Sequence, residues 1–411
     1  MKLAFDDPDM DGQFLRTVAV APAGCAELGE IYATAERITD GDRSSWHDQW
    51  RRGADAARAL AETCLAGGHQ ASARDGLLRA CEYYRQAFYF LRHDLDDPRL
   101  AATYAAHRDT FRQAIGLLPW RCEPVHVPYQ TTTLAGYLLH PDPDTSLRPR
   151  PTVLAPAGYD STAEAGYATT AVHALARGYA CLVYEGPGQG GVLYQQRLFL
   201  RHDYEHVLVP VVDWLVAQPG VDPARIALVG RSFAGYLGLR GAAGEPRLAA
   251  LVLDPAQCDF AARLRAMLGQ DLYDRVQAGD PAADALLDEW VSHPHQRQDL
   301  LARAAAHGAS TLGDYVRAVA RFSARGLIDR IACPTLILDA EDDFASDGQA
   351  DQVAADLACP TTRHRLTRAD GTAGHCGGLG QQRLAQIVFD WLDTTLRVTP
   401  ARPCQSTTPT T

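Results

Sequence analysis

The sequence predicts an α/β fold, with a mostly parallel sheet covered by helices on both faces and a helical region in front of it. Beyond residue 150, apolar runs of strand length, such as 152–155, 179–184 and 248–253, alternate with helical stretches. Strands that are apolar along their whole length are typical of parallel sheets buried on both faces. At 230–235 a short turn with flanking glycines joins one such strand to a helix-like run. At 411 residues the chain can bury a substantial core and hold a second, smaller domain.

Residues 1–120 are predicted to form an N-terminal helical domain. A first helix is expected to start near Ser44 or Ser45 and to stop at the glycines at 67–68, because apolar residues between them recur at helical spacing. Two more helices are expected over about 72–91 and 98–118. Their aromatic residues could line a ligand pocket, but a packed seam between helices is the better interpretation.

Residues 121–396 carry the alternation of strands and helices and are predicted to form the main domain. Between residues 255 and 331 the alternation stops, and a helix-rich stretch too long for a simple connection indicates an inserted helical cap. The tail at 397–411 is rich in proline and threonine and is expected to be disordered. The other expected elements are strands at 123–129, 134–139, 226–229, 334–338 and 362–366, and helices at 202–217 and 381–396.

The composition argues against several classes of partner. The 39 basic residues face 50 acidic ones, and the net charge of −11 argues against nucleic acid and against an anionic membrane surface. No apolar run is long enough to span a bilayer, and the N-terminus turns acidic at once, so a cytoplasmic address is expected. The ten cysteines show no C-x-x-C pattern and are expected to be reduced. Neither a metal nor a cofactor is predicted.

Ser232 is the candidate nucleophile. It lies in the turn at 230–235, GRSFAG, between a strand-length apolar run and a helix-like run. This is the sequence form of a nucleophile elbow, in which a sharp turn lifts a serine hydroxyl above the sheet. The usual pattern is G-x-S-x-G, whereas here Ala234 takes the last position and Gly235 follows it. The alternative is a serine that is buried or caps the helix, since short motifs also match by chance.

A histidine base is expected later in the chain. A serine becomes an effective nucleophile when a base accepts its proton and a carboxylate fixes the tautomer of that base. After an elbow serine, the acid and then the histidine should each follow a later strand. His375 lies in a glycine-rich loop after the strand at 362–366, from which an imidazole can reach a serine. The alternative is an ordinary polar loop residue.

The carboxylate is expected among the four acidic residues within 339–343, directly after the strand at 334–338. Asp339 ends that strand and is expected to point away from the site or to make structural contacts. Asp343 lies where the following loop turns toward the site, so it is the favoured carboxylate and Asp342 is the second choice.

An oxyanion needs two preorganised backbone N–H donors. The amide of Phe233, directly after the serine, is one candidate. Gly158, in the loop after the strand at 152–155, is the other, because a glycine lets the backbone approach a substrate; the alternative there is a plain turn. Tyr159 is then the neighbour expected to contact ligand. Asp259 lies beyond the next strand and could face the cleft, or it could cap the first helix of the insert.

Two other motifs compete with this interpretation. The glycine-rich segment 186–191 follows a strand and superficially matches a dinucleotide-binding fingerprint, but a proline follows the first glycine and no convincing helix opens at the last. His202 and His206 lie one turn apart and could hold zinc, yet no third ligand is evident. A cofactor or metal site is the less favoured interpretation of both motifs.

Taken together, four segments resemble one branch of the α/β-hydrolases in sequence and in order: 158–160 (GYD), 185–190 (EGPGQG), 230–232 (GRS) and 373–376 (AGHC). This branch holds the dihydroxypseudooxynicotine hydrolase type and the esterases related to the fermentation–respiration switch protein. The helical domain in front of a pair of strands is also similar, so the resemblance covers nearly the whole chain. Two positions depart from the branch: Glu185 stands where Asp is common, and Ala234 where Gly is common.

The resemblance implies an α/β-hydrolase fold with an N-terminal helical domain and a helical cap insertion. It implies a triad of Ser232, Asp343 and His375 under a helical roof made from the N-terminal domain and the insert at 255–331. It also implies a homodimer. Members of this branch cleave C–C bonds next to a ketone, cleave esters, or perform acyl transfer or lactone formation on biosynthetic intermediates.

The function predicted from these residues is a cofactor-independent serine hydrolase that acts on a medium-sized, largely apolar carbonyl compound through an acyl-serine intermediate. The bond cleaved would be a C–C bond next to a ketone, or an ester. Two alternatives stay open. An acyltransferase or cyclase of secondary metabolism would pass the acyl group to an alcohol or amine of the substrate instead of water. A non-catalytic binding protein would keep the fold with a silent site.

Overall fold

The computed structural model describes residues 2–142, 148–345 and 348–398. Its N-terminal region is helical, as predicted, and contains two helices near the N-terminus that the sequence analysis did not identify. The five helices of this region are α1 (Pro8–Ala19), α2 (Leu28–Ala35), α3 (Arg43–Ala66), α4 (Gln70–Phe88) and α5 (Pro98–Ile115).

The aromatic residues of the helical region form a packed seam rather than a pocket. Trp46 and Trp50 of α3 are fully buried, and the ring of Trp50 lies 5.6 Å from that of Tyr83 on α4. The indole N–H of Trp46 donates to a backbone carbonyl of α4, at 2.8 Å. The two helices approach closely at Gly76, where a Cβ would lie 2.9 Å from the Cβ of Ala61. Close packing of this kind leaves no space for a ligand between α3 and α4.

The described strands of the main domain form one eight-stranded sheet in the order β1-β2-β4-β3-β5-β6-β7-β8. β1 pairs antiparallel with β2, and β2 pairs antiparallel with β4, whereas all the other neighbours are parallel. The predicted mostly parallel sheet is therefore confirmed. The strands are β1 (Arg121–Tyr129), β2 (Thr132–His140), β3 (Arg150–Pro156), β4 (Ala180–Tyr184), β5 (Val221–Arg231), β6 (Ala250–Asp254), β7 (Thr335–Ala340) and β8 (Thr361–Leu366).

Helices cover both faces of the sheet because successive residues of each buried strand point to opposite sides. Val153 and Val183 pack into one core, together with α3 and α4, whereas Leu154 and Leu182 pack into the core on the other face. The covering helices are α6 (Ala163–Gly166), which continues through a π-helical turn (Tyr167–Ala171) into α7 (Val172–Ala176), α8 (Gly190–Tyr194), α9 (Glu205–Val216) and α10 (Ala234–Ala242).

The insert between β6 and β7 is helical and has a small apolar core of its own, which includes Val276, Leu287 and Val319. Its base is closed by a bridge between Asp259 and Ser323. The insert contains α11 (Ala262–Leu268), α12 (Gln270–Gln277), α13 (Pro281–Trp290), α14 (Pro294–Ala306) and α15 (Leu312–Val319), and the main domain ends with α16 (Gln349–Asp356) and α17 (Gln381–Thr395).

Three expectations about the whole chain can be compared with the described residues. No helix within them has the length and apolar character required to cross a bilayer. The nine cysteines in the same residues are all free. A disordered tail was expected at 397–411, and residues 399–411 of it lie outside the described residues.

Candidate active site

Ser232 lies in a sharp turn between β5 and α10. Its backbone φ is 58°, a left-handed conformation that a non-glycine residue adopts only when the surrounding structure enforces it. The Ser232 amide donates to the carbonyl of Asp254 at the end of β6, at 2.7 Å. A Cβ at Gly230 would overlap the carbonyl of Ala234, and a Cβ at Gly235 would overlap that of Pro255. The close approach that the elbow needs therefore falls at Gly235, which is why the methyl group of Ala234 is tolerated.

The structure brings the three side chains of the expected triad together. Ser232 Oγ lies 2.8 Å from His375 Nε2, and His375 Nδ1 lies 2.9 Å from Asp343 Oδ1. The Asp343 side chain is 1% exposed and that of His375 is 13% exposed. Asp343 Oδ1 also accepts from the amide of Ala345, at 2.9 Å, which fixes the carboxylate at the start of its loop.

The neighbouring carboxylates point elsewhere. Asp342 forms an ion pair with Arg368 on the surface. Asp339 pairs with Arg365 at 2.7 Å, in agreement with the structural contacts expected for it. Only Asp343, among the acidic residues within 339–343, contacts His375.

The environment of His375 changes its proton affinity. Burial disfavours the imidazolium, but the Cys376 side chain and the Asp343 carboxylate favour it more strongly, and together they raise the pKa of His375 to about 10. The Phe344 ring packs beside the imidazole, with 4.9 Å between the two ring centroids.

Gly158 and Phe233 lie where the oxyanion donors were expected. A Cβ at Gly158 would lie 3.3 Å from Ser232 Cβ, so the loop after β3 runs directly beside the serine. Within residues 2–142, 148–345 and 348–398, neither the amide of Gly158 nor that of Phe233 donates to a protein acceptor. Neither N–H group is therefore committed to an acceptor among these residues.

Tyr159 and Asp259 do not line the cavity at Ser232. The Tyr159 ring stacks on Phe260 of the insert at 5.7 Å. Asp259 accepts from the amide of Ala261 at 3.1 Å and contacts Arg265 at 3.3 Å. The first helix of the insert, α11, has Ala261 as its N-cap and receives no side-chain cap, so Asp259 does not cap it as the alternative expected.

A cavity of about 150 Å³ contains the side chains of Ser232 and His375. One wall comes from the N-terminal helical region, with Arg16 on α1 and Arg85 on α4. No lining residue comes from the insert at 255–331. The expected roof over this cavity is therefore built by the N-terminal helices, whereas the insert packs beside Phe233 through the Phe260 ring, at 4.5 Å.

The chain is similar in sequence to several known proteins. A family model described as X-Pro dipeptidyl-peptidase (S15 family) matches residues 131–362, more than half of the chain. A hydrolase of a Fusarium species, LUC6, is 33% identical, with 94% of this chain and 96% of that protein covered. The 20-hydroxy-prefusarin hydrolase FUS2 of Gibberella moniliformis is 32% identical, over 94% and 96% of the two chains. The chain is an α/β-hydrolase of the S15 family.

The fold of this hydrolase is also found in a solved structure. The crystal structure of 2,6-dihydroxy-pseudo-oxynicotine hydrolase superimposes with a TM-score of 0.72 at 23% sequence identity, and the match covers 93% of this chain and 98% of that one. The resemblance inferred from the sequence motifs is therefore confirmed at the level of the family and the fold.

The segment EGPGQG at 185–190 supports the loop beside the serine of this hydrolase. The Gln189 amide nitrogen donates to the carbonyls of Ala157 and Gly158, and its oxygen accepts from the amide of Gly186, at 2.6 Å. Contrary to the sequence analysis, a short helix, α8, does begin at Gly190. Its N-terminus is already occupied, because the carboxylate of Glu185 accepts from the amide of Gly191 at 2.8 Å.

Glu185 is a buried acid that joins the two parts of the hydrolase. Its carboxylate also accepts from the amide of Ala163, at 3.2 Å, and from the hydroxyl of Tyr104 on α5, at 3.3 Å. Burial first, and then the negative charge of Glu164, raise the pKa of Glu185 to about 8. The side chain holds α5 against the loop that follows β4, and it has no contact with Ser232 among these interactions.

His202 and His206, which were considered as zinc ligands, do not belong to a metal-binding cluster of the described residues. Within the part of the chain that the structure describes, no group of three or more His, Cys, Asp or Glu side chains is arranged to hold a metal ion. The Asp203 carboxylate between His202 and His206 is instead taken up by Arg201, at 2.8 Å.

Arg231 is a site residue that the sequence analysis missed. Its guanidinium donates to the Asp254 carboxylate at 3.2 Å, to the carbonyl of Thr169 at 2.9 Å and to the carbonyl of Cys376 at 2.8 Å. It thereby ties the residue before the nucleophile to the residue after His375. Only the G-x-S pattern of the elbow pointed to this position, and it gives no information about the middle residue.

Proposed function

We propose that this α/β-hydrolase is a serine hydrolase in which Ser232 is the nucleophile, His375 the general base and Asp343 the carboxylate that orients it. The continuous hydrogen-bonded series from Ser232 Oγ through the imidazole to Asp343 supports this proposal most directly. Such a series allows a hydroxyl to lose its proton as it attacks. The strained serine conformation and the two free amides beside it add further support.

In the proposed mechanism, Ser232 Oγ attacks the substrate carbonyl carbon while His375 Nε2 takes the hydroxyl proton. The carbonyl oxygen becomes an oxyanion held by the amides of Phe233 and Gly158. The bond to the leaving group then breaks, and the imidazolium gives its proton to that group. Water, deprotonated by the same imidazole, attacks the acyl-serine and releases a carboxylic acid and free Ser232.

The bond that we propose to be cleaved is a C–C bond next to a ketone, or an ester, in a medium-sized carbonyl compound. Two of the similar proteins are named after an organic compound rather than a peptide. They are the relative 20-hydroxy-prefusarin hydrolase and the structural neighbour 2,6-dihydroxy-pseudo-oxynicotine hydrolase. The mixed apolar and polar lining of the cavity, with Leu15 and Val229 beside Thr169, also favours such a compound. We expect the enzyme to be a homodimer and to need no cofactor.

The proposal is tested with p-nitrophenyl acetate, a small activated ester that does not depend on a particular specificity pocket. The wild-type protein should release p-nitrophenol and carry one acetyl group on Ser232 when it is quenched early. Ser232→Ala should lose both signals while its circular dichroism spectrum stays unchanged. Ser161 lines the same cavity, so Ser161→Ala is the matched control and should still be acetylated. An acetyl group on Ser232→Ala, at the wild-type rate, would contradict the proposal.

The two alternative functions, an acyltransferase or cyclase and a non-catalytic binding protein, predict different experimental results. Once a natural substrate is found, hydrolysis in ¹⁸O-labelled water places the label in the product acid. Acyl transfer or cyclisation leaves the product unlabelled. A non-catalytic binding protein would show no acetylated serine at all.

A further inference from the structure

The polar side chains that line the cavity together with Ser232 limit the kinds of compound that can bind there. This inference rests on the proposed function. Three guanidinium groups line the cavity, those of Arg16, Arg85 and Arg231. Each contacts a carboxylate, so the positive charges are compensated pair by pair. What differs between the three is how many N–H donors are still free. An arginine carries five such donors and no acceptor.

Arg231 has one N–H donor left, on Nη1, because four of its five donors are used within the protein. Its three nitrogens donate to the Asp254 carboxylate, to two backbone carbonyls and to the side-chain oxygen of Gln381. Its role is therefore to hold protein segments together at the floor of the cavity.

Arg85 and Arg16 keep free donors that face the same space. Arg85 binds Glu82 through Nε and Nη2, both at 2.7 Å, and Nη1 has no acceptor in the described parts of the chain. Arg16 donates to Asp160 through Nη1 alone, at 2.8 Å, so Nε and Nη2 have none there either. The side chains of Arg85 and Arg16 are 8% and 34% exposed, so an acceptor supplied by a ligand would replace the limited water that reaches these charged donors.

The same cavity contains these arginines and the nucleophile. A substrate whose carbonyl carbon reaches Ser232 therefore lies in a space whose wall includes Arg16 and Arg85. Because the arginine charges are already compensated, the group that fits best is a neutral acceptor oxygen rather than a second anion.

We propose that Arg16 and Arg85 donate hydrogen bonds to a second carbonyl oxygen of the substrate, so that the enzyme acts on dicarbonyl compounds. Hydrogen bonds to charged donors are stronger than neutral ones. The N-terminal helices α1 and α4 would thereby select the substrate, while the main domain supplies the nucleophile, the base and the oxyanion donors. This narrows the largely apolar substrate expected from the sequence.

The test uses fluorophosphonates, which label a reactive serine without needing a natural substrate. One reagent carries a plain hexyl chain, and a set of matched reagents carries a ketone at successive positions of that chain. We expect at least one keto reagent to label Ser232 about tenfold faster than the plain chain, the scale of one hydrogen bond to a charged group. Arg16→Met and the double variant Glu82→Gln/Arg85→Met should each bring this ratio of rates down toward one.

The control is Arg225→Met, which removes an arginine with an equally close carboxylate partner, Asp222 at 2.7 Å, on the same strand as Arg231 but outside the cavity. It should leave the ratio unchanged. If every keto reagent reacts at the rate of the plain chain, or if the ratio survives in both cavity variants, the dicarbonyl site is refuted while the nucleophile assignment stands. If no reagent labels Ser232, the proposed function itself fails.

Discussion

Replacing Arg231 by methionine should destabilise the protein far more than a substitution of another paired arginine. Arg231 contacts the Asp254 carboxylate, whose side chain is 4% exposed. Without the guanidinium, Asp254 would remain buried as an unpaired charge. Breaking a buried ion pair in this way costs about 3–5 kcal/mol. The carbonyls of Thr169 and Cys376 would each lose one hydrogen bond in the same substitution, although Cys376 keeps the one from Gln381.

The midpoint of urea denaturation, followed by circular dichroism, measures this loss. With a slope of about 3 kcal/mol per molar urea, Arg231→Met should unfold at about 1–1.7 M less urea than the wild type. Arg225→Met removes a partly exposed pair on the same strand, with side chains that are 35% and 20% exposed. It should cost less than about 1 kcal/mol, or about 0.3 M.

The buried carboxylate of Asp254 makes the stability loss of Arg231→Met depend on pH, and a second substitution at Asp254 should reverse part of that loss. Burial already raises the pKa of Asp254, and Arg231 opposes that rise. Without Arg231 the folded-state pKa rises further, so stability is lost as the pH increases from the unfolded value of about 4. The deficit of Arg231→Met should therefore be smallest in acid, and Asp254→Asn should recover part of it at neutral pH. A deficit no larger than that of Arg225→Met, or one that Asp254→Asn does not reduce, would refute the reasoning.

Two further predictions concern the proposed triad. Asp343→Asn should slow turnover of an activated ester by roughly 10³–10⁴-fold, because the imidazole loses the group that fixes its tautomer. The control is Asp342→Asn, which breaks only a surface ion pair with Arg368 and should change turnover by less than about twofold. Equal losses in the two variants would contradict the choice of Asp343. Because the pKa of His375 is raised above its usual 6.5, the neutral base forms only as the pH increases, so kcat/KM should rise with pH along a limb that lies above pH 6.5. Cys376→Ala removes one cause of that rise and should move the limb to lower pH, and a pH–rate profile that does not move would count against this account of the pKa.

The sequence predicted the parts of the site that follow from local pattern and chain order. Apolar strands alternating with helices predicted the parallel sheet, and the elbow pattern located Ser232. The order of nucleophile, acid and base along later strands then led to Asp343 and His375. The three side chains come together because loops at the carboxyl ends of parallel strands meet at one edge of the sheet, whatever their separation in sequence.

The sequence analysis missed what depends on packing between distant segments. Helix α1 carries Arg16 into the cavity, and its start was signalled by Asp7, whose side chain caps the helix, and by Pro8 at the first position. The order of the strands in the sheet leaves no local pattern, because pairing joins residues far apart in the chain. Glu185 and Arg231 were read as parts of motifs, but their roles come from partners on other elements, such as Tyr104 and Asp254.

The most direct test of the central claim is the site at which a fluorophosphonate modifies the protein, mapped by peptide mass spectrometry. A single phosphonylated residue, Ser232, is expected in the wild type. His375→Ala should slow its modification by orders of magnitude, because the hydroxyl then has no base. An unmodified Ser232, or modification at the wild-type rate without His375, would contradict the account.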